Sequence, residues 1–162
     1  VILYICSEIL TLPVVRDRKK KIERVLLASD HAGFKLKNKI KLFLIKKGNT
    51  VLDLGTQNTN SVDYPDYAHL LSKKMNNDKN QAGILICGSG IGMVMTANKH
   101  KNIRAALCYN LKSAKLSREH NNANVMTIGA RLIKTNTAIK CVSTFLKTKF
   151  DGGRHLKRVK KI

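Results

Sequence analysis

Tryptophan is absent from the 162 residues, and aromatic side chains make up only 5% of them. Single-stranded nucleic acid is usually held on aromatic stacking platforms, and this sequence offers little material for one. Acidic residues are also scarce, 10 against 31 Lys and Arg, which leaves a formal net charge of +21. Such a field attracts nucleic acid, acidic lipid or small phosphorylated metabolites. The cations are mostly lysines, 23 against 8 arginines, and they are spread along the chain. Scattered lysine describes solvated faces better than a nucleic-acid stripe, so no specific nucleic-acid partner is expected.

Cysteine is limited to Cys6, Cys87, Cys108 and Cys141. None forms a C-x-x-C pair, and no histidine stands at metal-ligand spacing from another, so the common zinc motifs are missing. A chain of this size does not need disulfide staples. A reducing, cytoplasmic setting is expected. The first run is not expected to be a secretory leader: the apolar VILYICSEILTLPVV (1–15) is followed, not preceded, by the basic RDRKKK. The run is too short to span a bilayer, and Glu8 and Pro13 interrupt it. Residues 1–24 are expected to be a poorly ordered extension, or a misassigned start because residue 1 is Val. A membrane-surface anchor is the alternative. Residues 25–162 read as one domain with a basic tail.

From residue 25 the chain alternates regularly. Short β-rich runs at 25–30, 50–55, 83–87, 103–109 and 124–130 alternate with helical patterns at 33–48, 66–75, 91–99, 111–120 and 134–148. In the first helix Leu36, Ile40, Phe43 and Leu44 share a face, and Lys35, Lys39 and Lys46 lie elsewhere. GILIC (83–87) is apolar throughout, the mark of a strand buried on both faces of a parallel sheet. The pattern predicts an α/β fold, a doubly wound (Rossmann-like) three-layer sandwich with a mostly parallel five-stranded sheet. Ligands in such folds bind outside the carboxyl ends of the strands, where strand order reverses.

Those corners hold the candidate residues. G-S-G-I-G (88–92) follows GILIC, but the sixth position of the dinucleotide fingerprint is Met93 and no Gly-Lys-Ser/Thr phosphate loop occurs. What remains is either a tight structural turn or a nest of N–H groups that holds an anion. Cys87 begins that loop. A lone Cys on an apolar strand is usually a small buried hydrophobe, which is the reading for Cys108 and Cys141. At the strand end before a helix, however, a thiolate is favoured, and it suits attack on a carbonyl or proton removal beside one. Asp30-His31 at the first corner and His120 in SREHNNAN have packing roles as their bland alternatives. Together with Cys87 they are expected at corners of one sheet edge, as a site. Arg154 and Arg158 share a face if the tail is helical, a geometry suited to a phosphate; a solvated basic tail is the alternative.

ASDHAGFKLK (28–37), DYPDYA (63–68), GILICGSGIGM (83–93), NIRAAL (102–107), LSREHNNANV (116–125), IGAR (128–131) and GGRHLKRV (152–159) carry a resemblance in the same order. The sequence resembles type B ribose-5-phosphate isomerase, a family that includes the galactose-6-phosphate isomerase subunits. The resemblance implies an aldose–ketose isomerase that works through an enediolate without metal or cofactor. On matching positions it makes Cys87 the base between carbon 2 and carbon 1. His120 becomes the acid/base group that opens the furanose ring, with Asp30 as helper. Gly88, Ser89, Gly90, Ile91 and Gly92 supply the enediolate cradle. His31, Asn121, Arg131, Arg154 and Arg158 bind substrate, the last two through phosphate. Ser89 stands where many relatives have Thr, and the hydroxyl is kept. The family builds its sites across a dimer interface, so a homodimer or dimer of dimers is implied. The expected reaction interconverts ribose 5-phosphate and ribulose 5-phosphate in the pentose phosphate pathway. The alternatives are a six-carbon substrate, allose or galactose 6-phosphate, and a non-catalytic polyanion-binding domain.

Overall fold

The computed structural model describes residues 22–76 and 78–162. Its sheet contains β1 (Arg24–Ser29), β2 (Thr50–Asp53), β3 (Gln81–Cys87), β4 (Ala105–Leu107) and β5 (Val125–Gly129). All neighbours are parallel, in the order β2-β1-β3-β5-β4. The predicted doubly wound α/β sandwich is therefore observed. The helices are α1 (Phe34–Lys46), α2 (Tyr64–Lys74), α3 (Ile91–Ala97), α4 (Leu111–Asn121), α5 (Thr135–Lys147) and α6 (Gly153–Val159). The tail is helical over Gly153–Val159, so Arg154 and Arg158, four residues apart, share a face. Most of the expected extension lies outside the described residues; of its last three, Ile22 is buried in the core and Arg24 opens β1.

Strand alternation divides the core in two. Val25, Leu27, Ile84, Ile86, Met126 and Ile128 pack with residues of α1, α4 and α5 on one face. Leu26, Ala28, Leu85 and Cys87 pack with Ala68, Leu71, Met93 and Ala97 of α2 and α3 on the other. β3 is buried along all seven residues, because it lies mid-sheet with helices on both faces. The thiol of Cys87 therefore points to the α2–α3 side of the sheet.

Strand order reverses between β1 and β3. The chain leaves β1 toward β2 on one side and leaves β3 toward β4 on the other. The loops after these two strands diverge, and the crevice between them is the expected ligand position. α1 starts hard against β3: a Cβ on Gly33 would sit 2.4 Å from the carbonyl oxygen of Ile86. That contact narrows the crevice floor and keeps the β1 loop beside the β3 loop.

One buried cation escapes the helical pattern. Leu36, Ile40 and Leu44 are buried as the periodicity requires, Phe43 is half-buried, and Lys37 is fully buried beside them. Its Nζ lies 2.5 Å from Asp53 Oδ1, and Lys41 reaches the other carboxylate oxygen at 3.0 Å. Burial alone would raise the Asp53 pKa. Hydrogen bonds from Lys37, the Gly55 N–H and Lys41 outweigh it and hold the carboxyl below its ordinary value. The cluster pins α1 to the end of β2.

Candidate active site

The β3–α3 loop has one permitted shape. Gly90 lies at φ 78°, a left-handed conformation that costs an L side chain energy. A Cβ there would also stand 2.6 Å from Leu107 and 2.9 Å from the Ile128 carbonyl carbon. With that turn made, the Gly90 N–H donates to Cys87 Sγ at 3.1 Å, and the Ile91 N–H to Ser89 Oγ at 3.3 Å. Cys87 thus stands at the start of the loop, 4% exposed, with its sulfur accepting a backbone N–H. The loop is braced from β5: the Ala130 N–H donates to the Cys87 carbonyl and the Arg131 N–H to the Gly88 carbonyl. The Arg131 guanidinium lies over Gly88, 3.2 Å from where a Cβ would be.

The β1 corner faces this loop across the crevice. Asp30 is buried and accepts the Gly33 N–H at 2.9 Å, so its position is fixed by the turn into α1. Its own N–H donates to the Ile86 carbonyl at 3.1 Å, which ties it to the strand that carries Cys87. His31 is half-buried, and its Nδ1 accepts the Val62 N–H at 3.2 Å. The loop that precedes α2 is thereby held against the crevice. Tyr64, which the sequence reading passed over, leads α2 with its ring against Gly92, where a Cβ would be 2.4 Å from the ring. Its signal was the Asp-Tyr-Pro entry into a helix whose start faces the loop.

His120 and Asn121 are elsewhere. The expectation that His120 shares a sheet edge with Cys87 and Asp30 is corrected by the topology. α4 begins after the carboxyl end of β4 and runs back toward the amino end of β5, so its last residues lie at the opposite edge. The 11 residues of α4 span about 16 Å. Asn122, at φ 47°, ends the helix, and Asn124 donates and accepts around Arg104 and Asn102 to start β5. α6 packs beside this end, so Arg154 and Arg158 also stand at the amino edge. The His120 ring stacks on His155, with centroids 4.2 Å apart and planes 7° apart. Desolvation, then the neighbouring His120, Arg154 and Arg158, hold the His155 pKa below the ordinary histidine value, against the opposing pull of Asp151.

The candidate residues of one chain therefore fall into two groups at opposite edges of the sheet. The carboxyl edge has Cys87, the N–H loop, Asp30, His31 and Arg131; the amino edge has His120, Asn121, Arg154 and Arg158. The amino edge also holds a cavity of about 580 Å³ lined by Arg104, Arg118, Lys79, Lys101, Lys147 and Lys149 among others. Arg118 there donates to the carbonyls of Thr148 and Ala123, which fixes the C-terminal turn of α4. The other two cysteines among the described residues are buried away from the loop. Burial pushes the Cys108 thiol up to about 12 and raises Cys141 as well.

Known proteins share this arrangement of sequence and fold. The profile of the Ribose/Galactose Isomerase family matches residues 25–162. Ribose-5-phosphate isomerase B of Escherichia coli is 38% identical over 141 residues, 87% of this chain and 95% of that protein. The structure of ribose 5-phosphate isomerase B from Anaplasma phagocytophilum has a TM-score of 0.83 at 49% identity, covering 86% of this chain and 96% of that one. The Mycoplasma genitalium enzyme, solved with bound ribulose-5-phosphate, has a TM-score of 0.82 at 45% identity, covering 85% and 92%. A match over most of the chain, with the fold found here, means that the protein belongs to the ribose/galactose isomerase family.

Proposed function

We propose that the chain interconverts D-ribose 5-phosphate and D-ribulose 5-phosphate, as an isomerase of the pentose phosphate pathway, with sites completed by a second copy of itself. The Cys87 thiol at the head of the N–H loop carries this reading. His120 protonates the furanose ring oxygen while Asp30 assists at the sugar hydroxyl, and the ring opens to a free aldehyde. Cys87 takes the proton from carbon 2. The electron pair moves into the carbon 1–carbon 2 bond, and negative charge appears on oxygen beside the Gly88–Gly92 amides. Preorganised donors stabilise that charge as it forms; each is worth on the order of 100-fold in rate. The proton returns to carbon 1, and the oxygens exchange theirs, giving the ketose. Arg154 and Arg158 offer two planar donor forks for the phosphate, and His31, Asn121 and Arg131 hold the sugar hydroxyls.

The need for a second copy follows from reach. A proton is passed between atoms about 3 Å apart, and the two half-sites stand at opposite sheet edges. A two-fold dimer brings the amino edge of one chain to the carboxyl edge of the other, with the same contact made twice. A cytoplasmic location suits three buried free cysteines. Among the described residues no helix is long and apolar enough to cross a membrane.

The test is turnover. Purified protein with a chelator present should convert ribose 5-phosphate to ribulose 5-phosphate, and faster than it converts allose 6-phosphate or galactose 6-phosphate. Faster turnover of a six-carbon phosphate would move the substrate assignment. No turnover of any of them, together with tight salt-sensitive RNA binding, would replace the enzyme with a polyanion-binding domain.

A further inference from the structure

The amino edge carries a donor set of which the proposed isomerisation uses only His120. His120 in the last turn of α4, Asp151 in the turn before α6 and His155 in the first turn of α6 each offer a ligand atom, all within 4.8 Å of one another. We propose that these three side chains bind a divalent transition metal of the zinc or cobalt class, and that its binding switches the isomerase off by occupying His120.

Two imidazoles and a carboxylate, with a coordination position left open, are the ligands such borderline ions take. No sequence spacing announces the set, because its members come from the end of α4, the turn before α6 and the start of α6. The Asp151 N–H donates to the Glu119 carbonyl at 3.1 Å, which ties the turn to α4 next to His120. The His155 N–H donates to the Gly152 carbonyl at 2.9 Å and starts α6 over the same spot.

The ion must work against the present arrangement. Zinc–nitrogen bonds of about 2.1 Å in tetrahedral geometry place ligand atoms about 3.4 Å apart. The stacked rings must therefore swing toward each other, and half-exposed His120 has the room to do so. Arg154 and Arg158 stand close by and repel a divalent cation, while Asp151 offsets part of that charge. Glu119, on α4, is engaged with Lys115 at 3.3 Å. These terms make the site weaker than a structural zinc site, and suited to an ion that comes and goes.

Metal binding stands apart from the isomerase reading; the loss of turnover rests on it. The full chain, freed of metal, is titrated with Co²⁺ and followed by its visible d–d spectrum, with no substrate present. One Co²⁺ per chain should bind with nitrogen and oxygen character, and Zn²⁺ should displace it. Asp151→Asn and His155→Gln should each weaken Co²⁺ at least about 10-fold, as loss of metal-site residues does. Asp151 is exposed, so Asp151→Asn tests the site even if His155→Gln disturbs the fold. Cys87→Ser should bind Co²⁺ as the wild type does. In the turnover assay Zn²⁺ should inhibit the wild type, a chelator should reverse it, and Asp151→Asn should resist. Wild-type Co²⁺ affinity in both Asp151→Asn and His155→Gln would overturn the proposal. So would a sulfur charge-transfer band lost in Cys87→Ser, or loss of binding in His100→Gln, which breaks the rival pair of His69 and His100 at 2.8 Å.

Discussion

Mixing two inactive variants tests whether the half-sites belong to one site. Cys87→Ala removes the proposed base at the carboxyl edge, and His120→Ala removes the proposed ring-opening group at the amino edge. Each alone should lose about 10²- to 10⁴-fold in turnover, the usual worth of a positioned acid or base. Within one chain the two groups stand at opposite edges of the sheet, Cys87 at the carboxyl end of β3 and His120 in the last turn of α4, whereas a proton is passed between atoms about 3 Å apart. In a two-fold dimer each site draws Cys87 from one chain and His120 from the other. A hybrid of the two variants then has one site with both groups intact and one with neither. Equal amounts exchanged at random give about half hybrids, each with one of two sites working, so about a quarter of wild-type activity. Two affinity tags separate hybrids from parents, and ribulose 5-phosphate formation is read on each fraction. Hybrids as inactive as the parents would show that one chain supplies both groups, and the two-ended reading would fall.

Gly90→Ala should cost about 2 to 4 kcal/mol, from the left-handed backbone and the clash with Leu107 and Ile128 together. A thermal melt reads this, and an unchanged melting temperature would mean that the loop has another shape. Arg154→Ala should raise KM for the sugar phosphate and leave kcat within a few-fold; an unchanged KM would place the phosphate elsewhere. Lys37→Met should cost about 3 kcal/mol at neutral pH, because it leaves the buried Asp53 carboxylate with Lys41 alone. Asp53 is held below its ordinary value of 3.8. Its contribution is therefore complete above that pH and is lost as pH falls through the lower folded-state value. Urea midpoints of the wild type should drop across that window, and those of Lys37→Met should drop less. Parallel curves for the two proteins would refute the role given to the pair.

The parts of the fold that the sequence made legible are those set by local periodicity. GILIC reads as a doubly buried strand because nothing in it is polar, and β3 is that strand. The first corner and the G-S-G-I-G loop follow from strand order, since both stand at the β1–β3 reversal. Lys37 was illegible for a different reason. A lysine in a helix dense with lysine looks solvated, and only the arrival of Asp53 from the next strand makes its burial tolerable. His120 was misplaced through direction, not identity. A corner rule built on strand-to-helix turns applies to Asp30 and Cys87, which leave strands. His120 leaves a helix, and in a parallel sheet every such turn lies at the other edge. That geometry explains why the residues seem scattered when a single chain is considered. A parallel sheet presents loop amides and strand-end side chains at one edge and helix-end side chains at the other. Joining the two around one small sugar takes a second copy turned end for end, and on the proposed reading the base and the ring-opening acid then come from different chains.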